Sequence, residues 1–422
     1  MALRKRALLL LALSVAACHA PTVGGEATEY RGGRWFDGER FVAKTMWVVG
    51  ETFAESRPAR VGAVVDLHGS FVVPPYAEGH NHWLEPKLVD AYVQTHLRDG
   101  IFYVKDHSTA PQIHDQMRPV LGGPASVDYA GAHQGFTGPN GHPIEIIDQL
   151  SGLGILPPEW AKTHGEGDVL FVVSSEQDVD RAWPRLIAGK PAFVKVFLVH
   201  SDEYESRRDN AALTPKDRGM DPALVPGIVA RAHAAQLRVS AHIENAHDFH
   251  VAIAAGVDDI AHMPFVDKAK PDSYRVAEAD LRLAATRGAS IATTLDWIQD
   301  DDVDERQLQV LRDNLANMRR AGNTIVIGTD QFRETARAEA DLIASRRLMS
   351  NLELLQAWCI TTPRAIFPDR KLGRLVQGFE ASFLALGGDP LADFANSRSI
   401  VMRVKQGRPI VPRDTKLPPL GR

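Results

Sequence analysis

The distribution of apolar residues predicts an α/β fold: a (β/α)8 TIM-type barrel over residues 74–372, with a small β-sandwich accessory domain built from both chain ends, 26–73 and 373–413. Three observations predict it. Residues 28–73 alternate apolar and polar side chains between glycine-rich turns, as in Thr45-Met46-Trp47-Val48-Val49-Gly50, which is strand chemistry. From about residue 74 to 370, short apolar runs alternate with amphipathic stretches, and so many alternations imply a parallel sheet closed on itself. Past residue 372 strand patterning returns in Ser382-Phe383-Leu384-Ala385-Leu386 and in 400–410, a tail too short to fold alone and therefore expected to complete the first sheet.

The elements follow in order. Val72-Val73 lead into His80, 84–97 has helical spacing, Ile101-Phe102-Tyr103-Val104-Lys105 is the second barrel strand and 127–131 the third. After a Gly/Pro-rich loop, Leu170-Phe171-Val172-Val173 is an extra or shifted strand and 176–187 a helix. The fourth to eighth strands are expected at 192–199, 237–242, 259–262, 290–294 and 324–329, with helices over 223–235 and 305–321 among those between them.

With 422 residues, 44% of them hydrophobic and 24% charged, the chain can bury a large core, so neither a disordered nor a fibrous class fits. A net charge of −5 and no basic run beyond the extreme N-terminus exclude nucleic acid as an expected partner and leave a small-molecule substrate. Oligomeric state is left open. The chain begins with Arg4-Lys5-Arg6 and an apolar run too short to span a bilayer, which is the pattern of a signal peptide over residues 1–18. Val15-Ala16-Ala17-Cys18 resembles a bacterial lipobox, implying cleavage before Cys18 and a lipid anchor on its thiol at a membrane surface; an ordinary signal peptide is the alternative. His19 in place of aspartate favours, by the same resemblance, a cell-envelope lipoprotein on the outer membrane facing the periplasm. Cys359 is the only other cysteine, so a lipidated chain has no disulfide.

Gly79-His80-Asn81-His82 puts two imidazoles two residues apart just past a strand, where both point the same way and can hold one metal ion. Among sixteen histidines that spacing alone says little. Lys195 lies inside Phe193-Val194-Lys195-Val196-Phe197, where an ammonium loses its hydration. It can deprotonate, react with carbon dioxide to give an anionic carbamate, or reach past the strand end to Asp202 or Glu203. His242 and His262 end two successive apolar runs, and Asp330 follows Ile325-Val326-Ile327-Gly328-Thr329, where a buried carboxylate needs a cation or several donors. Side chains of ligand type at successive strand ends share the barrel face that carries chemistry.

The ordered set His80, His82, Lys195, His242, His262 and Asp330 resembles the amidohydrolase superfamily, in particular its binuclear metal group with a carboxylated lysine. The flanks agree in Val65-Asp66-Leu67 through Pro74-Pro75, in Leu372-Gly373-Arg374-Leu375-Val376-Gln377-Gly378 and in Asp389-Pro390-Leu391. Asn140-Gly141-His142-Pro143 is similar to the Gly-His element of the imidazolonepropionase-like and prolidase-like branches. Glu78, where the family usually has aspartate, and Ala381-Ser382, where it has Ala-Asp, depart from the pattern without touching a ligand position.

The resemblance implies two divalent metal ions, with zinc first among the candidates. His80, His82 and Asp330 would hold one, His242 and His262 the other, and a hydroxide and the carbon dioxide-derived carbamate on Lys195 would bridge them. Asp330 would serve as general base and then acid. His142, His133 and Tyr204 are candidate substrate donors, or simply loop structure; His107 is a weaker candidate, and His247 and His250 fit a solvated helix face. The expected activity is hydrolysis of a C–N bond in a small amide or peptide-like molecule. An esterase, lactonase or phosphotriesterase on the same site, and a metal-loaded envelope binding protein without turnover, remain open alternatives.

Overall fold

Residues 26–299, 303–415 and 417–418 are described by the computed structural model. The first strands are β1 Ala27–Phe36, β2 Phe41–Val49, β3 Thr52–Ala54, β4 Val61–Asp66 and β5 Phe71–Val73. Ten more follow among helices: β6 Tyr76–Asn81, β7 Ile101–Asp106, β8 Asp128–Gly131, β9 Gly135–Thr137, β10 Leu170–Val172, β11 Phe193–Phe197, β12 Arg238–His242, β13 Asp259–Ile260, β14 Ser290–Ala292 and β15 Thr324–Val326. The chain closes with β16 Phe383–Leu386, β17 Ile400–Lys405 and β18 Arg408–Pro409.

Strands from both chain ends share an eight-stranded sheet of order β18-β17-β16-β5-β1-β2-β3, with β4 beside β1. The ends meet where β16 pairs antiparallel with β5, Leu384 opposite Val73. This sheet has its own apolar cluster around Tyr30, Trp35, Met46, Phe53 and Phe383, in which Tyr30 and Phe383 meet edge to face at 5.0 Å.

The middle strands are parallel. Seven run in the order β10-β9-β11-β12-β13-β14-β15, and β6-β7-β8 form a second sheet. Two junctions join them. Between β8 and β9 the chain kinks through Ala132–Gln134, with His133 at φ 63°. Across the other junction, the Gly79 N–H donates to Ile327 O at 2.8 Å and the Asp330 N–H to His80 O at 2.9 Å. Glycine is required on both sides of this seam: a Cβ at Gly79 would lie 2.8 Å from Ile327 O, and one at Gly328 would lie 2.5 Å from the His80 nitrogen. Among the named strands, the strand at Leu170–Val172 pairs only with β9 and so ends that sheet, with an isolated bridge from Leu170 to Glu166 beyond it.

The expected helix over 84–97 starts later, as the α-helix Val89–Arg98 after a 3-10 turn Pro86–Leu88, because Pro86 supplies no N–H and fits a first turn best. The helix Glu305–Ala321 begins with a capping box in which Asp304 accepts from the Gln307 N–H. Among the described residues no helix is long and apolar enough to cross a membrane.

A buried ion pair joins β7 to β13. Lys105 Nζ donates to Asp259 Oδ2 at 2.6 Å, and the hydroxyls of Ser240 and Ser290 donate to the same carboxylate. Burial alone would raise the Asp259 pKa, but the Lys105 ammonium and these hydrogen bonds hold it well below the usual carboxylate range. The stabilisation is therefore fully present above that range and is lost as pH falls through the depressed value. Asp259→Asn leaves Lys105 uncompensated and is expected to destabilise the fold by about 3–5 kcal/mol in urea denaturation at neutral pH. A loss under about 1 kcal/mol would mean that the pair is immaterial.

Candidate metal centre and cavity

β6 delivers His80, which is 1% exposed. Its Nδ1 lies 2.7 Å from Ala261 O; a carbonyl only accepts, so Nδ1 carries the proton and Nε2 presents a lone pair. That lone pair faces Asp330 Oδ1 at 3.0 Å, and His82 Nε2 lies 2.8 Å from the same oxygen. Two imidazole nitrogens converging on one carboxylate oxygen are a donor set for a divalent cation, and the ligand atoms of His80, His82 and Asp330 all lie within 4.8 Å of one another. Burial lowers the His80 pKa to about 4, which keeps the ring neutral and able to ligate.

The remaining members of the set gather beside this group. His262 Nδ1 stands 3.3 Å from Asp330 Oδ2 and 3.2 Å from Thr294 Oγ1. The His262 ring lies 4.6 Å from those of both His80 and His242. Lys195, also 1% exposed, has its Nζ 3.2 Å from His107 Nδ1. The His107 ring stacks on His80 at 3.8 Å. Burial pulls the Lys195 pKa down to about 7. Asp202 and Glu203, the partners a reaching lysine would need, are engaged by Asn245 and Arg207 instead. Asp330 adopts φ 59°, a left-handed conformation unusual for aspartate that turns its carboxylate back over β6.

Glu78 braces the seam beneath the ligands. Its carboxylate accepts from the Thr329 N–H at 3.0 Å and the His80 N–H at 3.3 Å. Burial raises its pKa to about 8. Because it fixes the backbone of one ligand strand against the other, Glu78→Ala is expected to weaken metal affinity by about 10- to 100-fold in a competitive chelator titration, while Glu78→Gln, which keeps an acceptor, retains most of it. Equal affinity in both variants would remove the bracing role.

A cavity of about 540 Å³ opens above the group, with His80, His82, Lys195, His242, His262 and Asp330 at its polar end. His142 lines it, its Nδ1 held by Glu145 Oε1 at 2.6 Å and its ring stacked on His242 at 4.4 Å. Two candidate donors stand elsewhere. His133 is turned away by the kink between β8 and β9: its Nδ1 faces Thr109 O at 3.2 Å and its ring packs on His114 at 4.5 Å. Tyr204 opens a short helix after the turn Ser201–Glu203, and Arg208 lies over its ring. Neither His133 nor Tyr204 is among the residues that line this cavity. Sequence reasoning missed Glu244, which lines the cavity with Oε1 3.1 Å from His242 Nε2. Its signal was available, because residues two apart on a strand end share a face. It also undervalued His107. Of the two helix-face histidines, His250 is half exposed and pairs with Asp280 at 2.8 Å.

Residues 201–410 match the model of the amidohydrolase family. No curated protein matches the chain. Among solved structures the fold is similar to ochratoxinase from A. niger, with TM-score 0.70 and 18% identity over 93% of this chain and 98% of that one. It is similar to a prolidase complexed with N-methylphosphonate-L-proline, with TM-score 0.67 and 19% identity over 92% of this chain and 100% of that one. A third is molinate hydrolase, with TM-score 0.68 and 16% identity over 94% and 99% of the two chains. Taken with the family match, the convergence of imidazoles and a carboxylate at neighbouring strand ends places this chain in the amidohydrolase family, as a hydrolase acting on carbon–nitrogen bonds.

Proposed function

We propose that the protein hydrolyses an amide or peptide-like bond of a small substrate at a binuclear metal site. The observation that supports this most is the pair of imidazole nitrogens 3.0 and 2.8 Å from one Asp330 oxygen, beside a buried lysine. His80, His82 and Asp330 would hold one cation, and His242 and His262 the other, with Lys195 between them as a carbamate. Two divalent cations, zinc by this proposal, supply an acidified water and a polarised scissile carbonyl.

The chain's own groups do the rest. A lysine whose pKa lies near 7 has a substantial neutral fraction at neutral pH, so its nitrogen can attack carbon dioxide, form the N–C bond and release a proton to give the carbamate. Asp330 takes a proton from the attacking water and passes it to the leaving nitrogen. His142 has Nδ1 committed to Glu145, so its Nε2 is the ring atom that can face the substrate carbonyl.

By the same proposal the parallel strands form a closed (β/α)8 barrel over residues 74–372, with residues 26–73 and 373–413 as an accessory sandwich. The two backbone hydrogen bonds between β6 and the segment after β15, one donated from each side, support closure. The signal peptide over residues 1–18 and lipid-bearing Cys18 lie outside the described residues, and the envelope location is part of the proposal. The test is elemental analysis of the purified protein, then assay of amides beside aryl esters and a phosphotriester before and after chelation. Amide turnover lost with the metal and restored by zinc is the expected result. Chelator-insensitive turnover, or turnover of esters alone, would overturn it.

A further inference from the structure

We infer that the substrate carries an uncharged, apolar arm next to the scissile amide, rather than the free carboxylate of a dipeptide or an N-acyl amino acid. This rests on the proposed amide hydrolysis and refines it. The cavity lining combines the metal-ligand candidates with a set of apolar side chains. The apolar part of the lining includes Ile147 and Leu150, three residues apart on the helix Ile144–Gly152, with Leu156 and Val169 from the following segment. Each is more than nine-tenths buried, so this wall belongs to the interior and is no solvent-washed rim. Ile146 and Phe332 extend it.

The charge inventory points the same way. Among the described residues, no arginine lines the cavity and Lys195 is its only ammonium, held at the metal end. The neutral polar side chains of the lining are Ser108 and Gln331. His142, the other candidate for holding an anion, already faces a carboxylate oxygen of Glu145 at 2.6 Å. Glu244 adds a second carboxylate to the lining. A substrate carboxylate pushed toward the apolar wall would lose its hydration with no cation to replace it and with acidic groups nearby. An alkyl or aryl arm would gain by burial, and a cavity of about 540 Å³ has room for a drug-sized ligand.

The test uses para-nitroanilides of acetic, butanoic and hexanoic acid with the metal-loaded full chain, beside the mono-anilide of adipic acid, which is the hexanoyl arm ending in a carboxylate. Expected is a kcat/KM that rises by about fourfold per methylene from acetyl to hexanoyl. The adipoyl compound should fall about a hundredfold below the hexanoyl one. Ile146→Lys, at a half-buried position that tolerates a longer side chain, should narrow or reverse that gap. A carboxylate-bearing arm that matches or beats the neutral one in the wild type overturns the inference and leaves amide hydrolysis standing. The para-nitrophenyl ester of hexanoic acid separates the converse case: length-dependent turnover of esters without amides removes the C–N reading and keeps the apolar arm. If nothing turns over, calorimetric binding of acetohydroxamic and hexanohydroxamic acids decides, since equal affinities would also overturn the inference.

Discussion

Asp330→Asn is expected to lower kcat by about 10²- to 10⁴-fold, the range that a positioned proton-transfer group supplies, with ligand binding largely retained. The substitution keeps the shape of the side chain, and the backbone N–H of residue 330 still donates to His80 O, so the fold around the seam should survive. What is lost is the anionic oxygen on which His80 and His82 converge, and with it the ability to take a proton from water and return it to the leaving nitrogen. Steady-state kcat and KM on the best amide, with hydroxamate binding by calorimetry, give the measurement. A variant within tenfold of wild type would leave Asp330 as a structural carboxylate. A protein that binds such ligands without turnover, in wild type and variant alike, would support a binding role instead.

The second large effect concerns Lys195. Lys195→Ala is expected to lower kcat by about a hundredfold or more and to reduce metal content, because the proposed bridge between the two cations disappears. Propionate in the assay should restore part of the activity by placing a carboxylate where the carbamate stood. Lys195→Arg should not restore it: a guanidinium stays charged and cannot take up carbon dioxide. Intact-mass analysis under native conditions should find the wild type heavier by one carbon dioxide. Full activity in Lys195→Ala would reduce the residue to a buried lysine that donates to His107.

Five of the six ligand-type residues stood out in the sequence because they stand at or just past the end of an apolar run, where a side chain leaves the core of a parallel sheet and faces a shared cavity, and Lys195 stood out because it lies inside such a run. The helices were legible from their period, and Glu305–Ala321 also from its capping box. What was not legible depends on distant contacts. His133 sits in a loop and Tyr204 opens a short helix after one, and which way each faces is set by a kink at 132–134 in one case and in the other by Asp248, whose carboxylate accepts from the His200 and Ser201 N–H groups. His107 matters only because its ring lies on His80 from a neighbouring strand. Pairing of β16 with β5 joins residues some three hundred positions apart, which alternation within either segment cannot register.

The glycine-lined junction between β6 and β15 has a temporal consequence. His80 and Asp330 belong to opposite banks of it, so an emerging polypeptide carries two of the three donors, His80 and His82, long before the third, Asp330, has been made. A ribosome-bound fragment ending before Asp330 cannot assemble the three-residue group, so under the proposed function capture of a cation would coincide with the last stages of folding and lock them in place.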